Sequence, residues 1–312
     1  MLAVRIIGGL PAVVEVPAPT GDGVRVRVAS AGICGSDLHL IDSGYAPAVT
    51  IGHEIAGITA DGRPVAIEPL LPCGRCACCA NGDYHLCELA GLSMLGIGTD
   101  GGMAAELLVP ERCVVRLDPS VDLADASLVE PIAVAVHGLH LAGWTPSSRT
   151  AVIGAGSIGC CTLAAITAQG GLADVACRHD HQRLTVERLG GMGAVSDGYD
   201  LVVETAGTSS ALQAAVRVVR PGGTILLLSI HWEPTPGPGV GLWMKEVRLI
   251  HSMTYHRSGN ERDVDVAARL LHESPEIGPA IITHRFPLDA ATEAFACARD
   301  RAAGSIKVVL EP

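Results

Sequence analysis

A short apolar strand, Thr150-Ala-Val-Ile153, runs straight into Gly154-Ala-Gly156-Ser157-Ile158-Gly159 and on into the helical run Cys160 to Gln169. Few folds use that order of residues. Glycines at these places allow a tight turn, bring the backbone close to a diphosphate and let the helix pack against the strand. The helix start adds free N–H groups and the positive end of its dipole. The motif alone is weak, but a strand before it and a helix after it supply the context of a dinucleotide-binding fold. Further apolar strands follow at Asp174–Cys177, Asp200–Glu204, Gly223–Ser229 and Val247–Ser252, with helical segments near Ser209–Val219 and Glu261–His272. Such alternation predicts a parallel sheet covered by helices on both faces. The uncharged stretch Thr150–Ala173 has the length of a membrane span, yet five glycines break it into strand, turn and helix, so no membrane span is expected.

Upstream the pattern differs. Short β segments such as the alternating Gly23-Val-Arg-Val-Arg-Val-Ala29, and Ala104–Val109, are separated by Gly and Pro, which reads as a β-rich domain with long loops. With 312 residues the chain has room for two domains. They are expected at 1–132 with 274–312, closed by the strand-like Ile306–Leu310, and at 133–273. Glu233-Pro-Thr-Pro-Gly-Pro-Gly239 reads as a loop. Acids outnumber Lys plus Arg 33 to 22, which argues against a nucleic-acid partner. The start MLAVRIIGGLPAVVEVP has no basic segment followed by a long apolar one, so a cytoplasmic protein is expected.

Five of the 11 cysteines crowd into residues 73–87. Cys73, Cys76, Cys79 and Cys87 can converge tetrahedrally on one Zn²⁺, and four thiolates leave no open position, so the site is expected to be structural. Cys78 is the spare; a redox-active thiol patch is the alternative. Scattered donors suggest a second metal. Cys34 in Gly32-Ile-Cys34-Gly-Ser36-Asp37-Leu-His39, His53 and Glu54 in Gly52-His53-Glu54, and Glu130 before Pro131 could provide three ligands and an open position. Taken singly, each of these residues has an ordinary structural alternative.

An acid normally closes the second strand of a dinucleotide fold and binds the ribose 2′-OH. Here the strand ends in Cys177-Arg178-His179-Asp180. Arg178, with His179 and Arg183 nearby, favours a 2′-phosphate and hence NADP over NAD, although Asp180 leaves a ribose contact open.

Together these motifs resemble the zinc-dependent medium-chain dehydrogenase/reductases, in particular the sorbitol and threonine dehydrogenase branch. The likeness runs through GICGSDLH, GHE, the four-cysteine lobe, GGMAAELLVP, LVEPIAVAVHGL, GAGSIG, PGGT and ITHRFPLDAATEAF. It implies an α/β chain in which a GroES-like catalytic domain carries a Rossmann domain inserted before its last strand. It also implies one catalytic and one structural zinc, and hydride transfer between an alcohol and a nicotinamide. By motif position, Cys34 and His53 resemble the catalytic ligands, and Glu54 and Glu130 the carboxylates that meet the metal directly or through water. Ser36 and His39 resemble the proton relay and Asp37 a supporting residue. Thr205, Ala206, Gly207, Leu228 and Ser229 resemble the cofactor-lining segments, while Lys307 resembles the basic residue that meets the pyrophosphate. Pairing into a homodimer or homotetramer is implied as well.

One departure stands out: between Leu189–Val195 and Asp200–Val203 the family has an additional strand and helix, and here only Ser196-Asp-Gly-Tyr199 remains. The Rossmann half is therefore expected to be shortened, with a more open adenine side. The function expected is oxidoreduction of a secondary alcohol of polyol, sugar-derived or amino-alcohol type, with Trp232 and Trp243 bordering the substrate. A zinc-free NADPH-dependent reductase of activated double bonds and a non-enzymatic NAD(P)- and zinc-binding sensor are the alternatives.

Overall fold

The computed structural model describes residues 1–232 and 239–312, so most of the proline-rich stretch expected to be a loop lies outside the described residues. Contacts divide the chain into two units, Met1–Glu130 with Gly259–Pro312, and Pro131–Ser258.

The first unit opens with the hairpin β1 (Leu2–Ile7) and β2 (Leu10–Glu15). Its main sheet contains β3 (Val24–Gly32), β4 (Glu54–Thr59), β5 (Pro64–Ile67), β6 (Glu106–Val109) and β7 (Val114–Arg116), and is completed by the strands Ile282–Pro287 and Lys307–Glu311. The alternating residues of β3 behave as their pattern predicts: Val26 and Val28 are buried and Arg27 is exposed. Beyond Ala29 the residues Ser30, Ala31 and Gly32 are all buried, and here β4 flanks one edge of the strand and the C-terminal strand the other. At Gly32 three strands meet, with Glu54 across one edge and Val309 across the other. The core here is aliphatic, from Val4, Val26, Ile55, Ile67 and Leu310, joined by Phe295. The helix α1 (Gly35–Asp42) follows β3, and two five-residue helices, α2 (Ala77–Asn81) and α3 (Glu88–Leu92), frame the cysteine lobe.

The division of the chain falls within the helix α4 (Val129–Leu141). In the second unit β8 (Thr150–Ile153), α5 (Ser157–Ala168), β9 (Ala173–Ala176), α6 (Asp180–Arg188), β10 (Tyr199–Glu204), α7 (Ser209–Val218), β11 (Val219–Leu227), α8 (Val240–Lys245) and β12 (Arg248–His251) alternate. The five strands are parallel in the order β12-β11-β10-β8-β9. The order reverses between β8 and β10, and ligands of such sheets bind at the carboxyl ends beside that reversal.

The helix α9 (Asp263–Glu273) belongs with the first unit by its contacts, so the chain returns at 258/259 rather than at the expected 273/274. Its neighbours explain this. α9 packs against β7, and Arg262 at its start donates to the carbonyls of Arg112 and Val114 at 2.9 and 3.1 Å.

Candidate functional site

In the first unit the chemistry gathers where β3 gives way to α1. Cys34 caps the helix, and Asp37 in the first turn accepts the Cys34 N–H on Oδ2 at 2.9 Å. Its other oxygen stands 3.3 Å from His53 Nδ1, and both side chains are buried. A carboxylate behind one imidazole nitrogen orients the ring and leaves the other nitrogen to face a metal or substrate. That other nitrogen, Nε2, lies 3.4 Å from Ser36 Oγ. Burial would push the His53 pKa down, but Asp37 and the Cys34 sulfur outweigh it and hold the imidazole well above 6.5.

The donor atoms of Cys34, His53 and Glu54 lie within 4.8 Å of one another. One sulfur, one imidazole and one carboxylate form a donor set that fits zinc. Glu54 has a second engagement that the sequence did not reveal: Lys307 Nζ donates to both of its oxygens at 2.7 Å and to the Ile33 carbonyl at 3.1 Å. Both partners are almost fully buried, at 1% and 2% exposure. A Cβ at residue 32 would fall 1.9 Å from Glu54 Oε2, so this approach requires Gly32. Glu130 is buried in the first turn of α4 and stands outside the group of three, while His39 is exposed in the last turn of α1.

The four lobe cysteines also converge, their sulfurs within 4.8 Å of one another and the measured pairs at 3.5 Å (Cys76 to Cys79) and 3.9 Å (Cys73 to Cys79). Tetrahedral thiolates at a normal zinc–sulfur distance stand about 3.8 Å apart, so the cluster fits the ion. Backbone N–H groups point at the sulfurs. The Cys73 N–H donates to Cys87 at 3.4 Å, and this bond leads the causes that pull the Cys87 thiol down to about 6. Cys79 is pushed up to about 12 by desolvation and by hydrogen bonds to Cys76 and other thiols, the strain that a shared dication would relieve. Cys78 lies outside the cluster. Tyr84, inside the lobe, donates to Glu68 at 2.5 Å, and Glu68 accepts from Arg262 at 3.0 Å, which ties the lobe to α9.

In the second unit the glycine turn links β8 to α5 as expected. A Cβ at Gly159 would fall 1.9 Å from the Gly154 carbonyl, so helix and turn touch through glycine. At Gly156 a Cβ would meet nothing within 4 Å, which leaves room over the helix start. Ser157 Oγ is buried and has no hydrogen-bond partner among the described residues. An unmet hydroxyl, open space and the N–H groups of the first helical turn fit a diphosphate. Ile158 is half-buried beside them.

Thr205 Oγ1 donates to the Gly154 carbonyl at 3.0 Å and so locks the turn to the tip of β10. Next to it is Glu204, which heads the segment Glu204-Thr-Ala-Gly207 that resembles a cofactor-lining stretch of the family. Glu204 is fully buried; one oxygen accepts the N–H groups of Ala206 and Gly207 at 2.7 and 2.9 Å, and the other accepts Ser229 Oγ and stands 3.2 Å from His231 Nε2. This carboxylate fixes the Thr205–Gly207 and Leu228–Ser229 segments around one charge. Leu228 itself packs where Gly138 leaves space.

At the tip of β9, Gln182 Oε1 accepts the backbone N–H of Arg178 at 2.8 Å and of His179 at 3.2 Å. The Arg178 side chain is exposed and makes no hydrogen bond or ion pair among the described residues. Arg183 is turned onto Asp180 at 2.5 Å. Trp232 and Trp243 are both exposed.

Residues 20–119 match the alcohol dehydrogenase GroES-like domain family, and residues 124–311 match the glucose dehydrogenase C-terminus family. Galactitol 1-phosphate 5-dehydrogenase of Escherichia coli is 31% identical over 93% of both chains. An uncharacterised zinc-type alcohol dehydrogenase-like protein of the same organism is 31% identical over 81% of this chain and 82% of its own. Among solved structures, a putative zinc-binding dehydrogenase from Sinorhizobium meliloti bound to NADP superposes with a TM-score of 0.87 at 28% identity, covering 100% of this chain and 99% of that one. Motifs, geometry and both domain matches agree that the chain belongs to the zinc-dependent medium-chain dehydrogenase/reductases.

Proposed function

We propose that this chain is a zinc-dependent oxidoreductase that moves a hydride between NAD(P) and a secondary alcohol of polyol, sugar-derived or amino-alcohol class. The observation that carries the reading is the Cys34–His53 pair, with Asp37 behind the imidazole and Ser36 in front of it. When bound, zinc supplies Lewis acidity toward an alcohol oxygen and the nicotinamide supplies a hydride acceptor. Cys34 and His53 hold that metal, and Asp37 keeps the imidazole in its ligating orientation. Glu54 and Glu130 add negative charge to the site, and Lys307 balances Glu54. Ser36 Oγ accepts the alcohol proton as it gives up its own to the relay. His39, three residues on and so on the same face of α1, passes it to solvent. Cys73, Cys76, Cys79 and Cys87 hold a second, structural zinc.

Ser157 and the glycine turn bind the pyrophosphate, and Thr205–Gly207 with Leu228 and Ser229 line the rest of the cofactor. Arg178 favours NADP: its guanidinium has no partner among the described residues, and the carboxylates near the strand end are engaged elsewhere, Asp174 by Tyr199 at 2.5 Å and Asp180 by Arg183. Relatives named galactitol 1-phosphate 5-dehydrogenase and L-galactonate-5-dehydrogenase support the substrate class. The protein works as a homo-oligomer in the cytoplasm.

Nicotinamide absorbance, followed over a panel of polyols, sugars and β-hydroxy amino acids with NADP and NAD in parallel, tests the reading. Turnover that survives complete removal of zinc, or survives Cys34→Ser, overturns it, and a preference for NAD overturns the role of Arg178.

A further inference from the structure

His53 is the last residue before β4, so on one side its backbone is held by the sheet, where Glu54 lies across from Gly32. On the other side it is joined to Gly52, whose φ of 95° is open to glycine and to few other residues. The Gly52 carbonyl and the His53 N–H share one planar peptide unit, so whatever fixes the first fixes the Cα of the second.

What fixes it is the loop 96–102. The Gly102 N–H donates to the Gly52 carbonyl at 2.9 Å, flanked by the Gly101 N–H on the Thr50 carbonyl at 2.8 Å and the Met103 N–H on the Ile51 carbonyl at 3.0 Å. Two glycines close on the same peptide. A Cβ at Gly96 would fall 2.5 Å from the Gly52 carbonyl oxygen, and one at Gly101 would fall 2.2 Å from it. Both obstacles are buried backbone, which cannot swing aside as a flexible side chain does. Asp100 ties the outer edge, its Oδ1 accepting the Thr50 N–H at 2.7 Å.

The loop is itself seated on the cysteine lobe. A Cβ at Gly98 would fall 1.7 Å from the carbonyl oxygen of Leu92, the last residue of α3, and that helix is capped by Cys87. Thr99 Oγ1 donates to the Ser93 carbonyl at 2.9 Å and the Gly96 N–H to the Thr99 carbonyl at 2.7 Å, which closes residues 93–99 into a tight unit. A metal-binding ring works only when held within about 0.5 Å of its productive place. Asp37 sets the rotation of the His53 ring, whereas its reach toward Cys34 is set by the backbone.

We infer that Gly96 and Gly101 are positioning residues for His53: by admitting the Gly52–His53 peptide between them, they set the reach of the imidazole toward Cys34. The inference rests on the reading of Cys34 and His53 as metal ligands.

The test uses cobalt(II) as the probe of that site, in the full chain with its lobe zinc in place. Thiolate- and imidazole-bound cobalt absorbs in the near-ultraviolet and visible, and the band positions report coordination geometry. Gly101 has a φ outside the left-handed region, so its alanine variant tests the contact alone. Gly101→Ala and Gly96→Ala should each weaken cobalt binding by about tenfold or more and move the bands, the size of effect seen when the support of a metal-bound histidine is lost. Gly91→Ala in α3, where a Cβ meets nothing within 4 Å, should change neither. A lower melting temperature with cobalt affinity and bands unchanged overturns the inference, because that is what a purely structural role produces. Asp100→Ala keeps every glycine and removes only the outer tie, so it serves where a buried alanine prevents folding; it should weaken cobalt by about threefold, the span of one neutral hydrogen bond, and an unchanged affinity there also overturns the inference. If the bands survive Cys34→Ser, the metal-ligand reading fails instead. The ring-proton resonances of His53, shifted in Gly101→Ala and not in Gly91→Ala, then still decide whether the loop sets its place.

Discussion

Replacing Lys307 with methionine keeps the length and most of the volume of the side chain and removes only its charge and donors. Both Glu54 oxygens then lose a 2.7 Å partner in a place that is 1% exposed. Removing one member of a buried ion pair costs about 3–5 kcal/mol, because the remaining charge stays desolvated and unmatched. In a unit of this size that corresponds to a fall of roughly 6–20 °C in melting temperature. Far-UV circular dichroism is the suitable readout, since the tryptophans all lie in the other unit. Glu54→Gln should also destabilise, and the double variant Glu54→Gln/Lys307→Met should lose less than the two single losses added together, with a coupling above about 1 kcal/mol. Additive losses, or a Lys307→Met loss below about 1 kcal/mol, would show that the pair does not act as a buried unit.

Three further outcomes follow. Zinc analysis should give two ions per chain, falling to one in Cys79→Ser and unchanged in Cys78→Ser; loss of zinc in the second variant refutes the assignment of Cys78 as spare. Tyr84→Phe removes the hydroxyl that ties the lobe to the buried Glu68, and zinc release to a chromogenic chelator should become about tenfold faster, the equivalent of one charge-assisted hydrogen bond, whereas an unchanged rate removes Tyr84 from the lobe's support. Asp200 is held below its ordinary 3.8 by its hydrogen bond from Arg220 and by the Arg149 N–H, so its contribution is complete above that pH and is lost as pH falls below it. Asp200→Asn should therefore flatten the acid limb of tryptophan-monitored stability below about pH 4, and an unaltered limb counts against the contact.

Local chemistry was legible in the sequence. The glycine turn and the cysteine lobe keep their determinants within a few residues of one another, so spacing alone announces them. Cys34 and His53 are further apart, and only the order of motifs along the whole chain joined them. By motif position Lys307 resembles a pyrophosphate contact. Its bond to Glu54 spans 253 residues and depends on the three-strand meeting at Gly32, which no local pattern encodes. Glu204 is the single charge ending the apolar part of Asp200-Leu-Val-Val-Glu204, a signal easily read as a strand end; its partners Ser229 and His231 come from the next crossover. The amphipathic pattern of α9 correctly predicts a helix but does not say which sheet it covers, and this shifts the point of return to the first unit.

Arg149 clasps the carbonyls of Asp197 and Gly198 and the hydroxyl of Ser196, with a consequence for how the second unit can vary. A parallel sheet grows outward by crossovers, each closing on the strand beside it, so an outermost crossover can be removed without disturbing the strands further in. Here the cut ends are already joined: Met192 remains bridged to β9, and Arg149 ties residues 196–198 directly to the start of β8. The segment 193–198 thus behaves as a splice in the fold. Peptide can be added to it or taken from it while β8, β10, β11 and the glycine turn keep their register, which makes it the natural place to graft a tag or a reporter onto this enzyme.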